Sequence, residues 1–157
     1  MKRSILILLW ASALSFLAPS VADARLFKNS KAADICIGVD NASKKDDADI
    51  KLFKCDGKPN QQWTADEVEP GIFNIVNDKS DKCMGVDHAK TTPGADIKQF
   101  GCDKSENQKW VFGTCNGAPC TVNKKSGLCL TSARVGHDVQ LEQGECVGGT
   151  TQAWARF

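Results

Sequence analysis

The segment Asn60-Gln61-Gln62-Trp63 recurs along this chain, and the recurrence limits the possible folds more than any other feature. Asn107-Gln108-Lys109-Trp110 repeats it closely, and Thr151-Gln152-Ala153-Trp154 repeats it more loosely. A cysteine stands eight positions before each tryptophan, at Cys55, Cys102 and Cys146, and another stands further upstream, at Cys36, Cys83 and Cys129. The first two units nearly coincide. Cys36-Ile37-Gly38-Val39-Asp40 matches Cys83-Met84-Gly85-Val86-Asp87, and Ala48 to Cys55 matches Ala95 to Cys102. The third unit is degenerate. Cys129-Leu130-Thr131 replaces the Cys-x-Gly start, and Asp138 to Glu142 reads as the counterpart of the Asp-Ile-Lys-x-Phe segment, with two extra residues before Cys146. The repeats run over about 34–66, 81–113 and 127–157. Units of this size cannot bury an apolar face alone, so they must share one core.

No segment after residue 24 keeps a helical period over three turns. Short β-branched runs punctuated by Gly, Asn and Asp predict an all-β domain. Gly71 to Val76, bounded by Pro70 and Asn77-Asp78, is one predicted strand, and Arg25 to Asp34 leads into a first short one. Trp63, Trp110 and Trp154 read as core side chains around a common axis, each burying about 150–250 Å². The glutamine two before each is expected to hold a backbone group through its amide.

Residues 1–24 read as a secretory signal peptide: basic Lys2 and Arg3, an apolar Ile5–Leu17, and a small-x-small Ala22-Asp23-Ala24. The apolar run is short for a bilayer span. Residues 25–157 then form one domain, secreted or periplasmic. The chain carries 20 Lys and Arg against 19 Asp and Glu. That balance survives loss of the leader and argues against a nucleic-acid or anionic-membrane field.

Eight cysteines in an exported chain of this size are expected to pair. Cys36–Cys55, Cys83–Cys102 and Cys129–Cys146 occupy equivalent places, which leaves Cys115 and Cys120 for each other across a turn-forming Asn-Gly-Ala-Pro. The spacing suits neither zinc nor a Cys-x-x-Cys redox centre. His88 and His137 are the only histidines. No metal or cofactor is expected.

Three Gln-x-Trp units, each behind a cysteine pair, resemble the ricin B-chain-type lectin family, whose fold is the β-trefoil. The resemblance implies a pocket with three parts: a carboxylate two residues after the first cysteine, an aromatic ring near the second, and the Asn of the Asn-Gln-x-Trp segment. Asn60 and Asn107 stand at the last position, followed by Gln61 and Gln108. Phe53 and Phe100 stand at the aromatic one, with Lys51 and Lys98 two residues before them. Gly38 and Gly85 occupy the carboxylate position, so Asp40 and Asp87, two residues on, become the candidate carboxylates by strand alternation. The third unit has Thr131 at the carboxylate position and Glu142 near the aromatic one. It reads as structural or as a site of different specificity.

Each candidate has a plainer alternative. Phe53 and Phe100 serve either as stacking faces or as core residues, and the Asp and Asn pairs either contact sugar or form turns. The types recur together in units one and two and vanish together in unit three, which favours function. The resemblance implies a non-enzymatic carbohydrate-binding module for glycans or polysaccharides, galactose-type sugars among them. A separate catalytic or toxin subunit as partner is consistent with it. The alternative is a protein-binding trefoil (an adhesin, a toxin receptor-binding subunit or a protease inhibitor), favoured by Gly38, Gly85 and the Cys115–Cys120 tip. No catalytic constellation is recognisable: Asp46-Asp47, the imaginable acid pair, sits in a mixed charge run and reads as solvated loop.

Overall fold

Alternation in Ala48-Asp49-Ile50-Lys51-Leu52-Phe53-Lys54 puts Ile50 and Leu52 on one side of a strand and Lys51 and Phe53 on the other. Ile50 and Leu52 are fully buried, whereas Lys51 and Phe53 are half-buried. The same physics recurs along the chain. A computed structural model of the protein describes residues 25–156. Its strands are β1 Arg25–Asn29, β2 Ala32–Val39, β3 Ala48–Lys54, β4 Gln62–Glu69, β5 Ile72–Asn77 and β6 Lys82–Val86. They continue as β7 Ile97–Gly101, β8 Lys109–Cys115, β9 Ala118–Asn123, β10 Cys129–Ser132, β11 Val139–Gly144 and β12 Trp154–Arg156. Among the described residues no helix is long and apolar enough to cross a membrane. The signal-peptide reading falls on residues 1–24, outside those described.

All pairings are antiparallel, and the sheet closes because β3 pairs with β11 and β5 with β6. The second strand of each unit meets the next: β3 pairs with β7 and with β11, and an Asp96–Glu142 bridge joins the third pair. The β4–β5 and β8–β9 hairpins form two arms, and β12 paired with β1 forms the other. This is a β-trefoil of three four-stranded units. Its third unit takes its last strand from the N-terminal end of the domain, so β1 closes the barrel.

That assignment has an internal marker. Asn29, Asn77 and Asn123 stand directly opposite Trp154, Trp63 and Trp110, and all three are fully buried. Asn77 Nδ2 donates to the carbonyls of Asn60 and Gln62, Asn123 Nδ2 to those of Asn107 and Lys109, and Asn29 Nδ2 to that of Thr150. Each Oδ1 accepts the N–H two residues on, at Lys79, Lys125 and Lys31. Each asparagine therefore ties its strand to the Gln-x-Trp turn, satisfying backbone groups that burial would otherwise strand.

The core gathers Trp63, Trp110 and Trp154 with Phe27, Ile37, Ile50, Leu52, Ile75, Met84, Ile97, Leu130 and Leu141. Trp63 Nε1 donates to Ile37 O at 3.0 Å and Trp110 Nε1 to Met84 O at 2.9 Å, binding each ring to its own unit's first strand. Disulfides join Cys36–Cys55, Cys83–Cys102, Cys115–Cys120 and Cys129–Cys146. Two further buried amides reach between units. Gln99 Nε2 donates to the Ser43 and Lys45 carbonyls, and Gln143 Nε2 to those of Lys90 and Thr92. The loops that follow Asp40 and Asp87 are thus fixed from the neighbouring unit.

Candidate functional site

β2 and β3 pair Cys36 with Phe53 and Gly38 with Lys51; β6 and β7 pair Cys83 with Phe100 and Gly85 with Lys98. Directly opposed residues share a face, so the phenylalanines and lysines lie on the outward side with the glycines. A Cβ on Gly38 would stand 3.0 Å from Gln61 Cγ and 3.2 Å from Phe53 Cδ2. On Gly85 it would stand 3.1 Å from Gln108 Cγ and 3.3 Å from Phe100 Cδ2. The phenyl ring and the glutamine stem therefore occupy the volume a side chain at Gly38 or Gly85 would need. These glycines are the counterpart of the aromatic rings.

The third unit inverts the pair. In register, Cys129 faces Gly144 and Thr131 faces Glu142. Gly144, not Glu142, stands where Phe53 and Phe100 stand, and Glu142 falls at the lysine position. The expectation of two extra residues before Cys146, with Glu142 near the aromatic position, is corrected by this register. Counting back from the second cysteine gives the structural alignment; matching side-chain types does not. A Cβ on Gly144 would lie 2.9 Å from Thr131 Cγ2, so Thr131 fills the space that the ring fills elsewhere.

The strand alternation used to place Asp40 and Asp87 stops one residue short, because β2 ends at Val39 and β6 at Val86. Each aspartate instead opens a 3₁₀ turn, followed by two residues with left-handed φ: Asn41 and Ala42 at 50° and 49°, His88 and Ala89 at 49° and 50°. The left-handed region costs a non-glycine residue roughly 1–2 kcal/mol, and such strain gathers at functional sites. The turn brings Asp40 Oδ2 to 3.2 Å from Lys51 Nζ. Lys51 also reaches Asp138 of the third unit at 3.2 Å, and those two hydrogen bonds, Asp138 first, raise its pKa.

Asp87 is the more enclosed carboxylate, its side chain 11 % exposed against 25 % for Asp40. Its Oδ2 lies 2.8 Å from His88 Nδ1 and its Oδ1 3.9 Å from Lys98 Nζ. Burial opposes its charge, but the hydrogen bond from His88 and the charges of Lys98, His88 and Lys90 outweigh burial and hold its pKa below 3.8. A carboxylate with a lowered folded pKa contributes stability that is full above its unfolded value and is lost as pH falls through the folded one. Asp87→Asn is expected to flatten the acid limb: the wild-type advantage over the variant shrinks between about pH 5 and pH 2, measured by urea midpoints. An advantage independent of pH would show that the carboxylate charge contributes nothing.

Asn60 Nδ2 donates to Val39 O at 3.2 Å and Asn107 Nδ2 to Val86 O at 3.0 Å, holding each amide beside its aspartate turn. Gln61 and Gln108 are buried. Their amides accept from Asp56 N and Asp103 N and donate to Lys54 O and Gly101 O, clamping the chain after the second cysteine. Gln152 does the same with Val147, Gly148 and Glu145. Asp40, Asn41, Phe53, Lys54, Lys58, Asn60 and Gln61 line an open depression of about 420 Å³ in the first unit. His137, on the third unit's loop, forms its far wall, its ring edge-on to Phe53 with centroids 5.5 Å apart. Sequence reasoning missed His137, because no repeat pattern carries it there. Asp46 and Asp47 pair with different lysines, Lys82 at 2.7 Å and Lys98 at 3.0 Å, as surface charges do.

Known structures share this architecture. A designed three-fold symmetric protein, ThreeFoil, superposes with a TM-score of 0.80 at 24% identity, over 85% of this chain and 96% of that one. A Polyporus squamosus lectin, solved with the epitope Neu5Aca2-6Galb1-4GlcNAc, gives 0.72 at 18% identity, over 85% of this chain and 48% of that one. The Haemophilus ducreyi cytolethal distending toxin gives 0.70 at 13% identity, over 99% of this chain and 88% of that one. These likenesses concern the fold. No curated protein sequence is significantly similar to the chain. The sequence from 24 to 154 matches the family of the ricin-type beta-trefoil lectin domain, and the protein belongs to that family.

Proposed function

We propose that the protein binds glycans without chemistry on them, as a secreted or periplasmic module, through the outward faces of its first two units. One observation carries this reading. The aspartate turn with its two left-handed residues, the phenylalanine over a glycine and the asparagine beside them occur together in units one and two. In unit three the ring is replaced by Gly144 and the glycine by Thr131. Fold alone is served by either arrangement.

The roles follow from the contacts. Phe53 and Phe100 offer a flat apolar face to the C–H side of a sugar ring. Asp40 accepts from sugar hydroxyls while Lys51, 3.2 Å away, holds it in place; Asp87 does so beside His88 and Lys98. Asn60 and Asn107 add polar contacts. Gln61 and Gln108 act through the backbone they hold, and Lys51 and Lys98 through the carboxylates. Two weak pockets on one rigid body gain by multivalency. The family and the lectin neighbours support a carbohydrate ligand, with galactose-type sugars as first candidates, and leave room for a separate catalytic or toxin subunit. The protein-binding alternative leans on the Cys115–Cys120 tip. That tip packs back on its own domain, with Asn116 Nδ2 donating to Val147 O at 2.5 Å.

A glycan-array screen of the oxidised protein tests the reading, paired with Phe53→Ala/Phe100→Ala. Discrete glycan signals that vanish in the variant are expected, with each half-buried truncation costing only about 1 kcal/mol of stability. Signals unchanged in the folded variant would remove both pockets from the mechanism.

A further inference from the structure

The three junctions between units should be alike, yet two of them differ in a way that leaves a cavity at one of them. Between units one and two, Val68, Glu69, Asn74, Lys104 and Lys109 line a cavity of about 370 Å³. Asn74 lies three residues before Asn77, and Cys120 three before Asn123; Val68 and Cys115 lie five residues after Trp63 and Trp110. The β4–β5 register slips at Val68, an extra residue that the β8–β9 hairpin lacks, so in register Cys115 stands where Glu69 stands and Cys120 where Asn74 does. At the next junction the Cys115–Cys120 disulfide closes these positions, with Gly148 and Ala153 in place of Lys104 and Lys109. Gly148, in place of Lys104, lies so close that a Cβ on it would stand 2.8 Å from Cys115 O. One junction is sealed by a disulfide and a glycine; the other is open and lined by polar side chains.

The open junction has unspent hydrogen-bonding capacity. Asn74 Oδ1 is buried and has no hydrogen-bond partner, an uncommon condition that calls for a partner. Val68, 43% exposed, supplies an apolar wall. Lys109 and Lys124 each bridge Glu69 and Glu106 at 2.7–3.2 Å, so those four charges are mutually compensated. Lys104 is exposed and has no ion-pair partner among the described residues. Asp66, which faces Asn74 across the β4–β5 hairpin, lies outside the lining. The surplus charge is positive, and the unsatisfied oxygen requires a hydroxyl or N–H donor.

We infer that this junction is a second ligand site, distinct from the Phe53 and Phe100 faces, for a hydroxylated carboxylate, the chemistry of an acidic sugar residue. The carboxylate pairs with Lys104, a ligand hydroxyl donates to Asn74 Oδ1, and a C–H face rests on Val68. The volume sits at the small end of ligand pockets, which suits one sugar residue.

The test is an amide chemical-shift titration of the oxidised protein with glucuronate, N-acetylneuraminate, glucose and acetate. Saturable shifts at Val68, Asn74 and Lys104 with either acidic sugar are expected, weaker by about tenfold or more in Lys104→Glu. The better of the two names the source of the carboxylate. Asn74→Ala/Lys104→Gly, which removes the free oxygen and the unpaired cation together, should abolish the shift at Val68 while those at Phe53 persist. Equal shifts with acetate would mean a bare anion site, and shifts confined to the Phe53 and Phe100 faces would mean no second site; either overturns the inference. Because the two sets of resonances are separate, loss of the Phe53 response alone would count against the proposed lectin pockets and not against this junction.

Discussion

Trp110→Ala is expected to lower unfolding free energy by about 3–5 kcal/mol, the range for truncating a large buried aromatic. The ring is fully buried at the shared axis, and its Nε1 bond to Met84 O at 2.9 Å goes with it. Two terms add: a cavity bordered by other units, which cannot collapse without moving three arms at once, and a carbonyl left without its donor. For a domain stable by about 5–15 kcal/mol, the variant would sit near the edge of unfolding. Trp110→Phe separates the terms. It keeps most of the volume and loses the hydrogen bond, so about 1–3 kcal/mol is expected. Urea unfolding followed by far-ultraviolet circular dichroism and by the remaining tryptophans checks both. One shared transition at a lower midpoint fits a single core. Unfolding confined to the second unit, with units one and three unaffected, would contradict a shared axis.

The tryptophans were legible because a repeat announces itself three times, and the fold follows from the repeat alone. What escaped the sequence lies where the repeat is not carried by residue type. Asn29, Asn77 and Asn123 are as regular as the tryptophans, but a buried asparagine at a strand end looks like an ordinary turn residue until its two-sided bonding is seen. The third unit misleads for the opposite reason. Its acidic and apolar residues imitate the Asp-Ile-Lys-x-Phe segment two positions early, and only the Cys129–Gly144 pairing fixes the frame. The missing last strand of that unit was invisible because it comes from the other end of the domain. At the site, types and spacing marked Asp40, Phe53 and Asn60, whereas the His137 wall depends on how units one and three meet. The sealed and open junctions likewise differ through residues that are unremarkable singly. Symmetry made the fold readable, and departures from symmetry are where the individual chemistry resides.

The Gly38 and Phe53 pair allows that distinction to be tested at one place. Gly38→Thr alone is expected to cost about 1–3 kcal/mol by overpacking, because its Cβ would meet Gln61 Cγ at 3.0 Å and Phe53 Cδ2 at 3.2 Å. Phe53→Gly alone removes a half-buried ring and adds a flexible strand residue, costing a similar amount. Together they recreate the Thr131/Gly144 arrangement of the third unit. The double variant should therefore be more stable than the sum of the singles by about 1–2 kcal/mol, a coupling typical of residues in contact. A double-mutant cycle in urea measures it, and strict additivity would show that the glycine is not there for the ring. Glycan binding should separate from stability in the same set. The double variant regains fold without regaining a stacking face, so its first pocket stays silent while the second still responds. Gly38→Asp, which adds a carboxylate beside Phe53 and Gln61, is expected to weaken binding as well as fold. Its side chain must displace the ring and the glutamine that hold the pocket together.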